Sequence, residues 1–329
     1  MKGFWSTLPK PFFALAPLED VTDAAFRRLI AGYGKPDVIF TEFTSADGLV
    51  LATEAGKTKL LKKLLYSEAE RPIVAQLFTA NPDHMEQAAR LVAGLGFDGL
   101  DINMGCPDRA IEKGLCGSAM IKHPDLAREI IRAAKRGAGE MPVSVKTRIG
   151  YATNEIQTWI RTLLEEGIDA LTIHARTRNE MSDVPARWEC VKEVVELRDS
   201  LGVDTLVIGN GDLQSLADAR EKVAASGADG AMLGRAIFGN PWLFSNLQNK
   251  GFVNPYIPTP HERIEALKEH IKLFDELLGD TLNFSTMKKH FKSYIHGWDG
   301  AKELRMRLME TQNNDEVLPI LADIESFTN

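Results

Sequence analysis

The sequence predicts an α/β protein: a closed (β/α)8 barrel followed by an all-helical C-terminal domain. Three observations predict it. Eight short β-type apolar runs alternate with helical segments or long loops, and no consecutive hairpins intervene. Eight such units suit a closed ring of parallel strands better than an open doubly wound sheet. Beyond residue 245 the strand signal stops, and apolar residues recur only at helical spacing. The expected division is a barrel domain over residues 1–245 and a helical domain over 252–329.

Each element has its own signal. Residues 12–17 (FFALAP) form the first strand, and Thr22 is the expected cap of a helix running to Tyr33. Runs 37–43 (DVIFTEF) and 71–78 (RPIVAQLF) give strands two and three. Asn81-Pro82 opens the next helix, with Asn as N-cap and Pro in its first turn; Met85, Ala88, Ala89 and Val92 make its apolar stripe. Strand four is 98–103, where Leu100 and Ile102 alternate with Asp101 and Asn103 until Gly105 and Pro107 turn the chain. A helix at 124–136 leads to strand five (141–148), and a helix at 154–166 to strand six (169–175). A helix at 186–201 precedes strand seven (205–209), and one at 213–226 precedes strand eight (229–234). The run Gly94-Leu95-Gly96-Phe97-Asp98-Gly99 matches G-x-G-x-x-G, but it ends a helix and enters a strand, the reverse of a dinucleotide fingerprint. Past a linker marked by Pro255, Pro258 and Pro260, residues 261–278 carry Ile264, Leu267, Ile271, Phe274 and Leu278 on one face. Further helices fit 286–296, 300–311 and 315–326.

Composition narrows the function classes. The charged fraction of 26% and hydrophobic fraction of 44% are those of an ordinary globular protein. No apolar run approaches the roughly 20 residues of a membrane helix, and the first ten residues lack the apolar core of a signal peptide. Three cysteines in 329 residues argue against a disulfide framework and for a reducing cytoplasm. The net charge of −7 excludes a strongly basic nucleic-acid binder, but its distribution is uneven. Residues 284–311 hold six Lys or Arg against three acids, a net +3 that leaves −10 elsewhere. Such a local patch suits a polyanion, or is a solvated helix face.

In a parallel barrel, chemistry sits at the C-terminal strand ends. Here those ends offer Pro17 and Leu18, Thr41 and Glu42, Gln76, Asn103 with Cys106, Lys146 with Arg148, His174 with Arg176 and Arg178, Asn210-Gly211-Asp212, and Gly234-Arg235. Lys146 follows an apolar strand into the ring interior, where an unpaired lysine is rare, so it is expected to meet a ligand's anion or carbonyl. His174 is either a satisfied core histidine or functional, and its neighbours favour function. Gln76 either caps a strand or offers its amide to a flavin or pyrimidine edge. The glycines closing strands seven and eight expose backbone N–H groups before helices, the usual phosphate site of these barrels, and Arg235 adds a bidentate donor. The three cysteines lack metal-ligand spacing, so no metal site is expected. Cys190 lies inside a helix. Cys106 and Cys116 share the loop after strand four, and Cys106, beside the strand end, is the expected reactive thiol.

The run Asp101-Ile102-Asn103-Met104-Gly105-Cys106-Pro107 resembles a signature of the flavin-dependent tRNA-dihydrouridine synthases. So do Ala16-Pro17 with Val21-Thr22-Asp23, Thr41-Glu42, Val145-Lys146-Thr147-Arg148, His174-Ala175-Arg176-Thr177-Arg178 and Gly209-Asn210-Gly211-Asp212. The run from Leu233-Gly234-Arg235 to Pro241-Trp242 and the helical Lys288-Lys289-His290-Phe291 complete the set in order. The resemblance implies a TIM barrel that binds FMN and a helical domain that helps hold tRNA. It implies that Pro17 and Leu18 line the flavin ring, and that Gln76, Lys146 and His174 hold its polar edge. Asn210, Gly211, Asp212, Gly234 and Arg235 would hold the ribityl phosphate. Cys106 would donate a proton to C5 of uridine while reduced flavin N5 delivers hydride to C6. Asn103, Arg176 and Arg178 would lie near the base, and Lys288, Lys289 and Arg305 against the tRNA. NADPH is the implied reductant; a cytoplasmic setting and no metal are expected from the cysteines, and a monomer is the expected state. Two positions depart from that family's pattern: the stretch 179–188 lacks its aromatic and glycine, and Cys116 replaces a glycine or alanine. The competing readings are a flavin barrel acting on a free pyrimidine or other small molecule, and a noncatalytic tRNA-binding protein.

Overall fold

The computed structural model describes residues 3–245, 247 and 256–325. Eight parallel strands close into a barrel in sequence order. They are β1 (Phe12–Leu15), β2 (Val38–Ser45), β3 (Ile73–Phe78), β4 (Gly99–Met104), β5 (Val143–Arg148), β6 (Ala170–His174), β7 (Leu206–Asn210) and β8 (Gly230–Leu233). β1 pairs with both β2 and β8 and so closes the ring. The protein is a (β/α)8 TIM barrel with helices following it, the fold class expected from the alternation of elements.

The connecting helices form the outer layer. α1 (Ala24–Gly34) follows β1, α2 (Ala46–Leu51) and α3 (Glu54–Lys63) follow β2, and α4 (Pro82–Gly94) follows β3. α5 (Arg109–Lys113) and α6 (Pro124–Ala138) follow β4, and α7 (Arg161–Glu165) follows β5 after a wide π-type turn over Ile156–Ile160. α8 (Trp188–Leu201) and α9 (Leu216–Ser226) follow β6 and β7. The Asn81 cap and Pro82 start of α4 are as expected, its side chain accepting from the amides of Asp83 and His84. The cap of α1 is Asp23, not Thr22. Asp23 Oδ1 accepts from Phe26 N at 2.9 Å, while the Thr22 hydroxyl is taken by the amide of Leu18.

Two separate apolar layers hold the barrel. The larger joins the outward faces of the strands to the helices. The smaller fills the ring with Phe12, Ala14, Val38, Phe40, Val74, Ala170, Leu206, Ile208 and Met232. Trp5, in a 3-10 turn over Gly3–Ser6, is buried in this inner cluster with its ring centroid 5.9 Å from that of Phe12. With the N-terminal end plugged by an aromatic, open space is left at the C-terminal mouth.

Among the described residues, four helices follow: α10 (Pro260–Leu278), α11 (Ser285–Tyr294), α12 (Ala301–Glu310) and α13 (Asn314–Glu325). A full capping box starts α10, with Thr259 and Glu262 satisfying each other's backbone amides. These helices share the larger core with the barrel, and Phe26 of α1 stacks on His270 of α10 with centroids 4.8 Å apart. The Tyr33 hydroxyl donates to Glu269 at 2.8 Å across the same seam. Of the expected 252–329 segment, residues 252–255, with Pro255 of the proline cluster, and residues 326–329 lie outside the described residues.

Candidate active site

Register decides what faces the mouth. Parallel strands pair Gln76 with Asp101, Asp101 with Ser144, Asn103 with Lys146, Arg148 with His174 and His174 with Asn210. Since alternate residues share a face, the inner apolar residues Val74, Ala170, Leu206 and Ile208 put Gln76, His174 and Asn210 on the inner face above them. The same parity turns Asp101, Asn103 and Lys146 inward.

A cavity opens at this end. Its walls include Pro17 and Leu18 after β1, Lys146 and His174 at the ends of β5 and β6, Asn210-Gly211-Asp212 after β7, and Gly234-Arg235 after β8. Nine of the ten residues expected to hold a cofactor therefore share one cavity, and Arg176 joins them. The tenth, Gln76, is fully buried beneath the mouth. Lys146 Nζ donates to Asn210 Oδ1 at 3.3 Å, and Asn210 in turn donates to the Met232 carbonyl at 2.7 Å. Arg176 is buried; its guanidinium pairs with Asp212 and donates to the Val184 carbonyl at 2.6 Å. Arg235 reaches the other oxygen of Asp212 at 2.7 Å.

The electrostatics favour a bound anion. Burial, with the Arg148 charge beside it, presses the Lys146 ammonium down to about 8. Burial and four surrounding cations, Lys146, Arg148, Arg176 and Arg235, hold His174 well below the usual imidazole range, so its ring is neutral at pH 7. Arg176 can only donate, so His174 Nε2 accepts from it at 3.1 Å and the ring proton sits on Nδ1. Asp212 is held low by its hydrogen bond from Arg176 and answers part of this positive charge.

The cysteine loop follows β4, where Asn103 is in register with the cavity residue Lys146; Asn103 and Cys106 themselves are not part of the cavity lining. Cys106 is half-buried two residues past β4. Asn103 Oδ1 accepts from the amides of Gly105 and Cys106 at 3.1 and 3.0 Å and bends the loop. Arg148, named from sequence only as a strand-end cation, donates to the Gly105 carbonyl at 3.0 Å and to those of Thr177 and Met181, both at 2.9 Å. It therefore ties the loop after β4 to the loop after β6. Burial pushes the Cys106 thiol up from its ordinary value, partly offset by the Asp108 amide, Lys146 and Arg148, so it is a thiol at neutral pH. Cys116 is buried, its Sγ donates to the Gly114 carbonyl at 3.2 Å, and burial raises it to about 11.

The remaining expected residues do not border the cavity. Arg178 is paired with Glu112, its Nε 2.9 Å from one carboxylate oxygen, and lies over the ring of Tyr151. Glu112 also accepts from the Ser118 hydroxyl at 3.0 Å, while the Ser118 amide donates to the Cys106 carbonyl at 2.9 Å. Lys289 pairs with Asp20 at 2.6 Å, Lys288 donates to the Met309 carbonyl and Arg305 to that of Ile295. Sequence reasoning missed Asp101, Glu112 and Tyr151. Asp101 had a signal, because it has the same strand parity as Asn103.

The model of the family described as dihydrouridine synthase (Dus) matches residues 14–329. A probable tRNA-dihydrouridine synthase of Staphylococcus aureus (strain COL) is 40% identical over 327 residues, 99% of this chain and 96% of that protein. Probable tRNA-dihydrouridine synthase 2 of Bacillus subtilis (strain 168) is 40% identical over 326 residues, 98% and 97% of the two chains. Among solved structures, morphinone reductase in complex with tetrahydroNAD superposes with a TM-score of 0.53 at 15% identity, covering 78% of this chain and 91% of that one. A 2-naphthoyl-CoA reductase gives 0.55 at 12%, covering 72% and 49%. These two likenesses speak to the barrel fold. The match over nearly the whole chain, with the ordered motifs at the barrel mouth, makes this protein a member of the dihydrouridine synthase family.

Proposed function

We propose that this dihydrouridine synthase reduces the C5–C6 bond of a uridine in tRNA, with FMN as its cofactor, NADPH as reductant and Cys106 as the proton donor. The barrel, residues 1–245, is the catalytic domain. The 252–329 segment is the tRNA-binding domain, with Lys288, Lys289 and Arg305 toward the RNA. The protein works as a monomer in the cytoplasm.

The residues present suit such a cofactor. Gly211 has φ +126°, and a Cβ there would lie 2.7 Å from the Ala186 methyl, so this backbone is bare by necessity. With Gly234 it gives a side-chain-free wall beside Arg235, fit for a phosphate. Lys146 is a half-buried donor with one side-chain partner at 3.3 Å, suited to a carbonyl or ring nitrogen. Pro17 and Leu18 supply an apolar side for a flat ring. When bound, flavin supplies the hydride that C6 receives.

The chain's residues do the rest. Lys146 and neutral His174 hold the polar edge of the ring, while Arg176 braces His174 and Asp212. Asn103 bends the loop that presents Cys106 Sγ toward the mouth, and its thiol proton passes to C5. A half-buried thiol regains that proton from solvent. The observation that carries this reading is the cavity that gathers Lys146, His174, Arg176 and Arg235 at the strand ends, with Lys146 in register with Asn103, whose side chain holds the Cys106 loop. A target uridine must leave its stack to reach it, which favours a flexible RNA region.

The test is direct. The protein loaded with FMN and NADPH should convert uridine in unmodified tRNA to dihydrouridine, read by mass spectrometry, and leave free uracil and UMP unchanged. Turnover of the free pyrimidines with none on tRNA would overturn the proposal.

A further inference from the structure

Below the mouth, four polar side chains form one buried hydrogen-bonded chain, three in a row across the strands and Asn103 one step nearer the mouth. Ser144, Asp101 and Gln76 are neighbours in register across β5, β4 and β3. Asp101 and Gln76 have no exposed surface, and Asn103 is 8% exposed. Ser144 Oγ donates to Asp101 Oδ1 at 2.6 Å. Gln76 Nε2 donates to Asp101 Oδ2 at 2.7 Å. Asn103 Nδ2 donates to Gln76 Oε1 at 3.2 Å. Asn103 Oδ1 then accepts from the amides of Gly105 and Cys106.

Every donor in this chain points toward Asp101. An ionised carboxylate only accepts, so it dictates which end of the Gln76 amide faces it. The Gln76 oxygen is left to accept from the Asn103 amino group. Asn103 then has its oxygen, and not its NH2, for the cysteine loop. Were the chain reversed, two oxygens would face each other at Asp101, and an NH2 would meet two backbone N–H groups. In a buried site such unmatched contacts are costly.

We propose that Asp101 is a positioning residue: acting through Gln76 and Asn103, it sets the direction of a buried hydrogen-bond relay that holds the backbone of Cys106 in place for proton transfer. The inference rests on the function proposed above for Cys106. It gives Gln76 and Asn103 a shared task in addition to any contact with cofactor or base. Burial raises Asp101 to about 6, while the bonds from Ser144 and Gln76 and the nearby Lys146 hold it down, so it is ionised at pH 7 and able to direct the relay.

Asp101→Asn separates direction from packing. Asparagine keeps the volume and the number of hydrogen bonds, but it can present either end to Gln76, so the relay loses its single direction. In flavin-loaded full-length protein, the variant should lose at least tenfold in kcat on tRNA with KM for tRNA within twofold. Alkylation of Cys106 by iodoacetamide, followed by peptide mass spectrometry, should rise at least threefold as the loop loosens. Wild-type kcat and alkylation rate in Asp101→Asn would overturn the proposal. If that variant does not fold, Gln76→Met cuts the next link, and an unchanged Cys106 alkylation rate there overturns it equally. Wild-type protein that makes no dihydrouridine in tRNA would defeat the functional reading instead, and the alkylation comparison would still decide the relay.

Discussion

Replacing His290 with leucine should remove an acid-sensitive element from the seam between the barrel and the C-terminal helices. His290 of α11 is 1% exposed, and among the described residues neither ring nitrogen has a hydrogen-bond partner. It packs edge-on against Phe26 of α1 and against His270 of α10, with centroids 5.1 and 4.6 Å away. A charged imidazolium there would face apolar rings and another histidine. Burial, and then the Lys289 charge, lower its pKa from 6.5 to about 4. The sign follows from linkage. The unfolded chain takes up a proton near pH 6.5 and the folded one only near 4, so stability is full above 6.5 and is lost as pH falls toward 4. Between pH 7.5 and pH 5 this group should cost about 2 kcal/mol, from about 1.4 kcal/mol per pH unit once the unfolded form is protonated. Three buried carboxyl groups, Asp23, Asp101 and Glu42, are raised to about 6, 6 and 8, and they run the opposite way. The useful quantity is therefore the difference between wild type and His290→Leu, measured by urea denaturation at both pH values with the slope checked for constancy. The variant should gain about 2 kcal/mol on wild type over that interval. Parallel stability curves would show that this histidine is not held neutral by the seam, and would refute the reasoning.

Other outcomes follow from the same geometry. Gly211→Ala forces a Cβ to 2.7 Å from Ala186 at φ +126° and should weaken FMN affinity at least tenfold, read by fluorescence titration. Because Lys146 titrates near 8, FMN affinity should weaken as pH rises through that value, and Lys146→Met should flatten this inflection. Gly239, at φ +64°, lies against the Ser293 backbone, where an added Cβ would strike the carbonyl oxygen. Gly239→Ala should therefore destabilise the fold by about 3 kcal/mol or more by denaturant melt, through overlap at the seam rather than through the site.

The strand ends were legible because a barrel imposes one simple rule. Residues two apart share a face, so Val143, Val145 and Thr147 face outward when Lys146 faces the ring, and a polar residue closing an apolar strand stands out. The pairing of those polar residues was not legible. Nothing local to Arg178 or Glu112, 66 positions apart, shows that they meet. The same holds for Lys289 with Asp20 and for Arg176 with Asp212, whose contacts depend on where whole loops land. The basic run at 284–311 read as a patch, while the fold engages two of its cations, Lys288 and Arg305, in carbonyl contacts. The helices between β2 and β3 escaped notice for a different reason. α3 buries no residue fully and is rich in lysine, so it lacks the apolar stripe that betrays a helix. Thr22 and Asp23 are both good caps by type, and only the competing bond from Leu18 to Thr22 decides between them.

The central claim is that Cys106, and not Cys116, gives the proton to uridine. Single-turnover mixing of pre-reduced, flavin-loaded enzyme with unmodified tRNA, followed by flavin absorbance, measures it without interference from the reductant. Cys106→Ala should slow flavin oxidation by about 10²- to 10⁴-fold, the range for loss of a general acid. Cys116→Ala should stay within about twofold, since that thiol is buried and engaged with Gly114. A wild-type rate in Cys106→Ala, or a comparable loss in Cys116→Ala, would contradict the account.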